Sequence, residues 1–100
     1  MTVEYSPELL AHMERKGLKS IAVEVASSDH SDFEVTEIYC RYVRESFADY
    51  LVEKKQYRSV GTEVGRVLLP PYRLVYGETL RFFLKKYWIF RQLAVEGVSL

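Results

Sequence analysis

Ser6-Pro7-Glu8-Leu9-Leu10-Ala11-His12-Met13-Glu14-Arg15-Lys16-Gly17 is followed, after Leu18-Lys19, by Ser20-Ile21-Ala22-Val23-Glu24-Val25-Ala26. The change of hydrophobic period between these two runs decides the fold class. In the first run Leu9, Leu10 and Met13 form one apolar stripe at helical spacing. Ser6 is a good N-cap, because its hydroxyl can accept from an otherwise unpaired amide of the first turn. Pro7 suits the first helical position, and Glu8 complements the positive end of the helix dipole. Arg15 and Lys16 occupy the last turn, and Gly17 can close it in a left-handed conformation. The pattern predicts a helix over 7–16. In the second run the period falls to two: Ile21, Val23 and Val25 share one face, and Ala22, Glu24 and Ala26 the other. That predicts a strand over about 20–26.

Beyond it, Ser27-Ser28-Asp29-His30-Ser31-Asp32 is polar and rich in turn formers, and reads as a loop. Residues 34–44 carry Val35, Ile38, Tyr39, Cys40, Tyr42 and Val43, whose β-branched and aromatic content favours a strand. Residues 45–56 are ambiguous between a short helix near 46–53, on the spacing of Phe47, Tyr50, Leu51 and Lys54, and an irregular connection. Tyr57 to Val60 and Gly65 to Leu69 read as two strands of a hairpin around Gly61-Thr62-Glu63-Val64. Pro70-Pro71 must end any ladder, since neither residue donates a backbone hydrogen bond. Gly77 reads as a turn before a strand over Thr79–Lys85, and Tyr87-Trp88-Ile89-Phe90 as a tight turn into a last strand near Gln92–Val98. One helix with many short strands indicates an α+β domain, an N-terminal helix followed by a mostly antiparallel β-sheet or small barrel. The expected core is Leu9, Ile21, Val23, Val25, Val67, Leu80, Phe82, Leu84, Leu93 and Val95.

Composition narrows the class without naming an activity. With 100 residues, 48% hydrophobic and 28% charged, the chain fits one domain, residues 1–100, with enough apolar content to bury a core. No apolar run reaches the length of a transmembrane helix, and no membrane partner is expected. MTVEYSPELL lacks the basic-then-apolar pattern of a secretion signal. The one cysteine, Cys40, cannot form an internal disulfide or a multi-cysteine metal site. A cytoplasmic location follows as the expectation. Net charge is zero, yet residues 1–40 hold three basic and eight acidic residues and the remainder eleven and six. Complementarity within one fold accounts for that asymmetry, and a pI of 6.7 argues against strong nucleic-acid affinity.

Three groups of residues carry candidate chemistry. Asp29, His30 and Asp32, with Glu34 close by, supply oxygen and nitrogen donors for a divalent ion, though their spacing lacks the glycine and ordered acids of an EF-hand. A solvated loop is the favoured reading of that stretch. Cys40 is a second candidate ligand, or a nucleophile beside a histidine, but its strand context favours a structural thiol. Lys54, Lys55 and Arg58, and again Lys85, Lys86 and Arg91, interleave with aromatic residues in the manner of single-strand nucleic-acid binders or of a partner-binding surface. No phosphate-binding glycine loop is present, and no catalytic role or cofactor is expected.

The order of elements, with Gly65-Arg66-Val67-Leu68-Leu69-Pro70, Gly77-Glu78-Thr79-Leu80 and Leu84 through Gly97, resembles the HesB-like family, whose better-known members are A-type iron–sulfur carriers. It is similar above all to a branch of short HesB-like proteins with a Cys-Cys or selenocysteine motif after the first strand. The resemblance implies a HesB-like fold and a place in a sulfur, selenium or metal pathway. Carriers place a cysteine where this chain has Ala26 to Phe33, and a Cys-x-Cys tail where this chain has none. The resulting expectation is a non-catalytic protein that has lost the cluster ligands and acts through contacts with a protein partner. Its alternatives are a metal or iron–sulfur carrier with a changed ligand set, and a nucleic-acid-binding module.

Overall fold

The computed structural model describes residues 1–30 and 33–100, and the side chains of all of these except 27–30 and 33–36. The helix expected over 7–16 is α1, Pro7–Lys16. The Leu9 N–H donates to Ser6 Oγ at 3.2 Å, and Gly17 takes φ 66° beyond the last turn. The Leu18 N–H then reaches the Met13 carbonyl at 2.9 Å, which satisfies one of the orphan acceptors of the helix end. Ahead of α1 runs a short strand that the sequence did not announce, β1, Thr2–Tyr5. Four residues with a single buried position, Tyr5, show too little alternation to register as a strand.

Next come β2, Ser20–His30, and β3, Phe33–Val43, paired antiparallel from Ser20↔Val43 through to His30↔Phe33. The loop expected over Ser27–Asp32 is therefore corrected: Ser27–His30 belong to β2. The ladder with β3 continues through them, and its hydrogen bonds outweigh the weak strand propensity of Ser and Asp. Asp32 lies outside the described residues. The ambiguous stretch is helical, α2, Glu45–Lys55. It buries only Ala48 and Leu51, too narrow a stripe to decide its period from the sequence.

The hairpin around Gly61 is present as β4, Arg58–Gly61, and β5, Arg66–Leu69, and Pro70 ends the ladder as expected. The chain finishes with β6, Val75–Tyr87, and β7, Phe90–Ser99. Gly77 is no turn. It lies inside β6, in a stretch where the register against β7 shifts between Tyr76 and Arg81. A glycine within a strand marks such an irregularity as readily as a turn.

Two sheets result, with strand orders β1-β6-β7 and β3-β2-β5-β4. Both are mixed. β1 runs parallel to β6 and β2 parallel to β5, while the other three pairings are antiparallel. The α+β class stands, with parallel pairings at two places where an antiparallel sheet was the simpler expectation. The main core lies between the two sheets and α1, and gathers Tyr5, Leu9, Met13, Ile21, Val23, Cys40, Val67, Leu69, Leu80 and Phe82. Of the expected core, Leu84, Leu93 and Val95 pack against it half-buried, and Val25 is half-buried too. A smaller cluster, Ala22 and Leu68 against Ala48 and Leu51, holds α2 on the other face of the four-stranded sheet.

Candidate functional site

Strand period carries Ile38 and Cys40 on β3 to the core face, where Cys40 stands opposite Val23 in register. β3 is an edge of its sheet and β7 an edge of the other. The two edges approach without joining and leave a cleft of about 270 Å³. Glu37, Tyr39 and Cys40 line one side of it, and Lys85, Tyr87 and Gln92 the other. Nothing local in the sequence marks the cleft, because its walls come from segments more than forty residues apart.

Cys40 is 9% exposed, and burial pushes its thiol up to about 12. In the metal-free chain it is therefore protonated at neutral pH, whereas a nucleophile must be a thiolate. Burial, and to a lesser extent the neighbouring Cys40, likewise raises the phenol of Tyr42. The ring of Tyr42 meets that of His12 at 6.1 Å between centroids. Both rings pack where helix meets sheet.

Of the other predicted ligands, Asp29 and His30 are not brought to Cys40. Asp29 and His30 pair with Glu34 and Phe33 at the far end of the β2–β3 ladder. Val23, the partner of Cys40, precedes Asp29 by six positions on one strand, which places the two backbones about 20 Å apart. Among the described residues no group of three His, Cys, Asp or Glu side chains converges as a metal site would require.

The basic residues also divide. Lys54 and Lys55 end α2, and Arg58 begins β4, at the edge opposite β3. The Arg58 guanidinium lies 6.0 Å from the Tyr76 ring centroid, and the Lys55 ammonium the same distance from that of Tyr50. Lys85 and Lys86 end β6 and Arg91 opens β7, on the other sheet. Arg91 is ion-paired with Glu8 of α1, and Lys85 stands 5.1 Å from the Tyr87 ring centroid. With β4 and β3 at opposite edges of a four-stranded sheet, the two basic groups do not form one continuous patch.

Two polar clusters went unread in the sequence. Arg66 on β5 donates from Nε to Glu45 Oε2 at 3.2 Å and from Nη2 to Asp49 Oδ1 at 2.6 Å, and the buried Ser20 hydroxyl donates to Glu45 Oε1. The hydrogen bond to Asp49 is the chief cause that raises the Arg66 pKa. This cluster fastens the first turns of α2 to β2 and β5. On the outer face of the four-stranded sheet, Glu24 lies 3.8 Å from Arg41. Burial, and then the hydrogen bond to Glu24 and its charge, hold the Tyr57 phenol in its protonated form. The one available signal was Glu24 itself, a carboxylate between Ala22 and Ala26 on a face that has to pack. The Arg66 cluster is closed within the chain and serves the fold, whereas Glu24 keeps one buried carboxylate oxygen, Oε1, without a hydrogen-bond partner among the described residues.

No family model matches the chain, and no curated protein matches it. Among solved structures the fold is similar to that of Escherichia coli SufA, described as involved in biosynthesis of iron–sulfur clusters. The TM-score is 0.55 over 96% of this chain and 80% of that chain, at 8% sequence identity. At that identity the likeness shows the fold, and it supports the distant HesB-like architecture expected from the order of elements.

Proposed function

We propose that this chain is a non-catalytic, HesB-like protein of the cytoplasm that lacks iron–sulfur chemistry and works through protein contacts. The observation that carries the reading is the state of Cys40. A cluster needs several thiolates, from one subunit or across an interface. The 100 residues offer a single thiol, packed in the core and held protonated by burial. The donor set does not fit a cluster, so no step of cluster binding or transfer is derived for it. What the fold presents instead is the open cleft between the edges of β3 and β7, with polar and aromatic side chains at its mouth. A partner's chain can meet both edges there.

Anaerobic reconstitution with iron and sulfide tests the reading. The expected result is no stable, stoichiometric chromophore after desalting. A chromophore that forms in the wild type and is lost on Cys40→Ser overturns it and restores a carrier with a changed ligand set.

A further inference from the structure

The end of the β6–β7 hairpin carries two features that work against the stability of the fold. The two central residues of the turn are Trp88 and Ile89, between the paired Tyr87 and Phe90. Trp88 takes φ 52° and Ile89 has no positive φ, the pattern of a hairpin turn whose first central position prefers glycine. A large side chain there is strained, and Trp88 recovers nothing by packing, since it is 84% exposed. Ile89 is 72% and Phe90 64% exposed, so the tip is a protruding apolar knob. Immediately below it Lys86 stands directly opposite Arg91 in the antiparallel register, two like charges where opposite ones would stabilise the pair.

We propose that this hairpin tip docks on an anionic lipid surface, with Trp88, Ile89 and Phe90 entering the interface and Lys85, Lys86 and Arg91 meeting the headgroups. The apolar exposure of the tip and the like-charge pair below it are both met by that one occupant, which gives the strained, exposed Trp88 a packing partner. An indole and neighbouring aliphatic and aromatic groups have the composition that settles at a bilayer–water boundary. Lysine stems can lie along the apolar knob while their ammonium groups reach phosphate. An anionic surface also removes the repulsion between Lys86 and Arg91. Around the tip, Glu8 pairs with Arg91 and Glu37 lines the cleft with Lys85, while Lys86 forms no ion pair among the described residues.

Other occupants fit less well. Tip-to-tip association with a second copy would bring four cationic side chains, two Lys86 and two Arg91, to one place. Single-stranded nucleic acid is held along grooves with stacked bases; a convex two-residue turn offers no groove, and Ile89 no stacking face. The contact is peripheral, and no described helix is long and apolar enough to cross a membrane. The proposal goes beyond the reading of Cys40 and does not depend on it.

Trp88 is the sole tryptophan, so its fluorescence reports the tip alone. Vesicles of phosphatidylcholine with phosphatidylserine should shift its emission to the blue, and brominated acyl chains should quench it. Pure phosphatidylcholine vesicles should bind more weakly. Lys85→Gln and Lys86→Gln should each weaken co-sedimentation about fivefold. Trp88→Gly should abolish co-sedimentation while the melting temperature holds or rises, because glycine relieves the turn. No shift and no co-sedimentation with the anionic vesicles overturns the proposal, and so does binding indifferent to all three substitutions. An emission shift that follows protein concentration without lipid, or oligothymidylate alone, assigns the tip to self-association or nucleic acid and overturns it equally.

Discussion

Tyr5 stacks on Phe82, with ring centroids 5.8 Å apart and planes inclined by 27°, across the parallel register that pairs β1 with β6. The hydroxyl of Tyr5 reaches Thr62 Oγ1 at 2.8 Å, so a single side chain ties the N-terminal strand to both the central strand of one sheet and the β4–β5 turn of the other. Phe82 is fully buried between the sheets and α1. Phe82→Ala should destabilise by about 3–5 kcal/mol, the range for a large aromatic removed from a packed core. Tyr5→Phe should cost about 1 kcal/mol, one net hydrogen bond. Urea titration followed by circular dichroism checks both, and an unchanged midpoint for Phe82→Ala would contradict the packing described.

Arg66 joins β5 to the start of α2 through Glu45 and Asp49. The three side chains are partly exposed, at 24%, 55% and 59%, so water and salt screen each pair. Arg66→Ala should therefore cost no more than about 1–2 kcal/mol. The loss should shrink in high salt. Amide hydrogen exchange should quicken first in Glu45–Lys55, because the cluster holds that helix to the sheet. Uniform acceleration over the whole chain would mean that Arg66 supports the global fold instead.

Legibility in the sequence tracks burial. α1 was readable in full because cap, dipole and apolar stripe agree, and each of these signals is local. The strands with one buried face were readable by their alternation, as at Ile21, Val23 and Val25. β1 was not, since Thr2–Tyr5 is a strand only by pairing with residues some eighty positions away. Ser27–His30 misled for the opposite reason: their composition is that of a turn, yet the ladder begun by the core residues carries on through them. The cleft beside Cys40 depends on two sheet edges meeting, which no residue pattern encodes. The thiol's burial was nonetheless inferable from its place between Ile38 and Tyr42.

Gly97 on β7 takes φ 92°, and a Cβ at that position would overlap the carbonyl oxygen of Thr79. Conformation and space both demand glycine there. It sits beside the register shift between β6 and β7, where the two strands approach closely. Gly97→Ala should cost at least about 1–3 kcal/mol in backbone strain. Gly61→Ala, where nothing lies within 4 Å of an added Cβ, should change stability far less. Thermal melts of the two variants side by side give the comparison, and equal losses would remove the special role of position 97.

Cys40 makes stability depend on alkaline pH. Its thiol ionises near 9 when unfolded, and burial raises that to about 12 in the folded chain. Between those values the unfolded chain has released the proton while the native chain keeps it, so the native state binds more protons and unfolding becomes easier as pH rises. The contribution is complete below about pH 9 and is lost as pH climbs towards 12. Cys40→Ala removes the titrating group, at the expense of a small cavity, and its stability should fall less steeply over that window. The phenols of Tyr5, Tyr42 and Tyr57 titrate in the same direction, so the difference between wild type and Cys40→Ala reports the thiol together with its smaller effect on Tyr42. At about pH 8 the native thiol should also resist iodoacetamide, and react promptly once the chain is unfolded in guanidinium. Rapid alkylation of the folded protein, or parallel pH profiles for the two proteins, would show that Cys40 is an accessible thiolate.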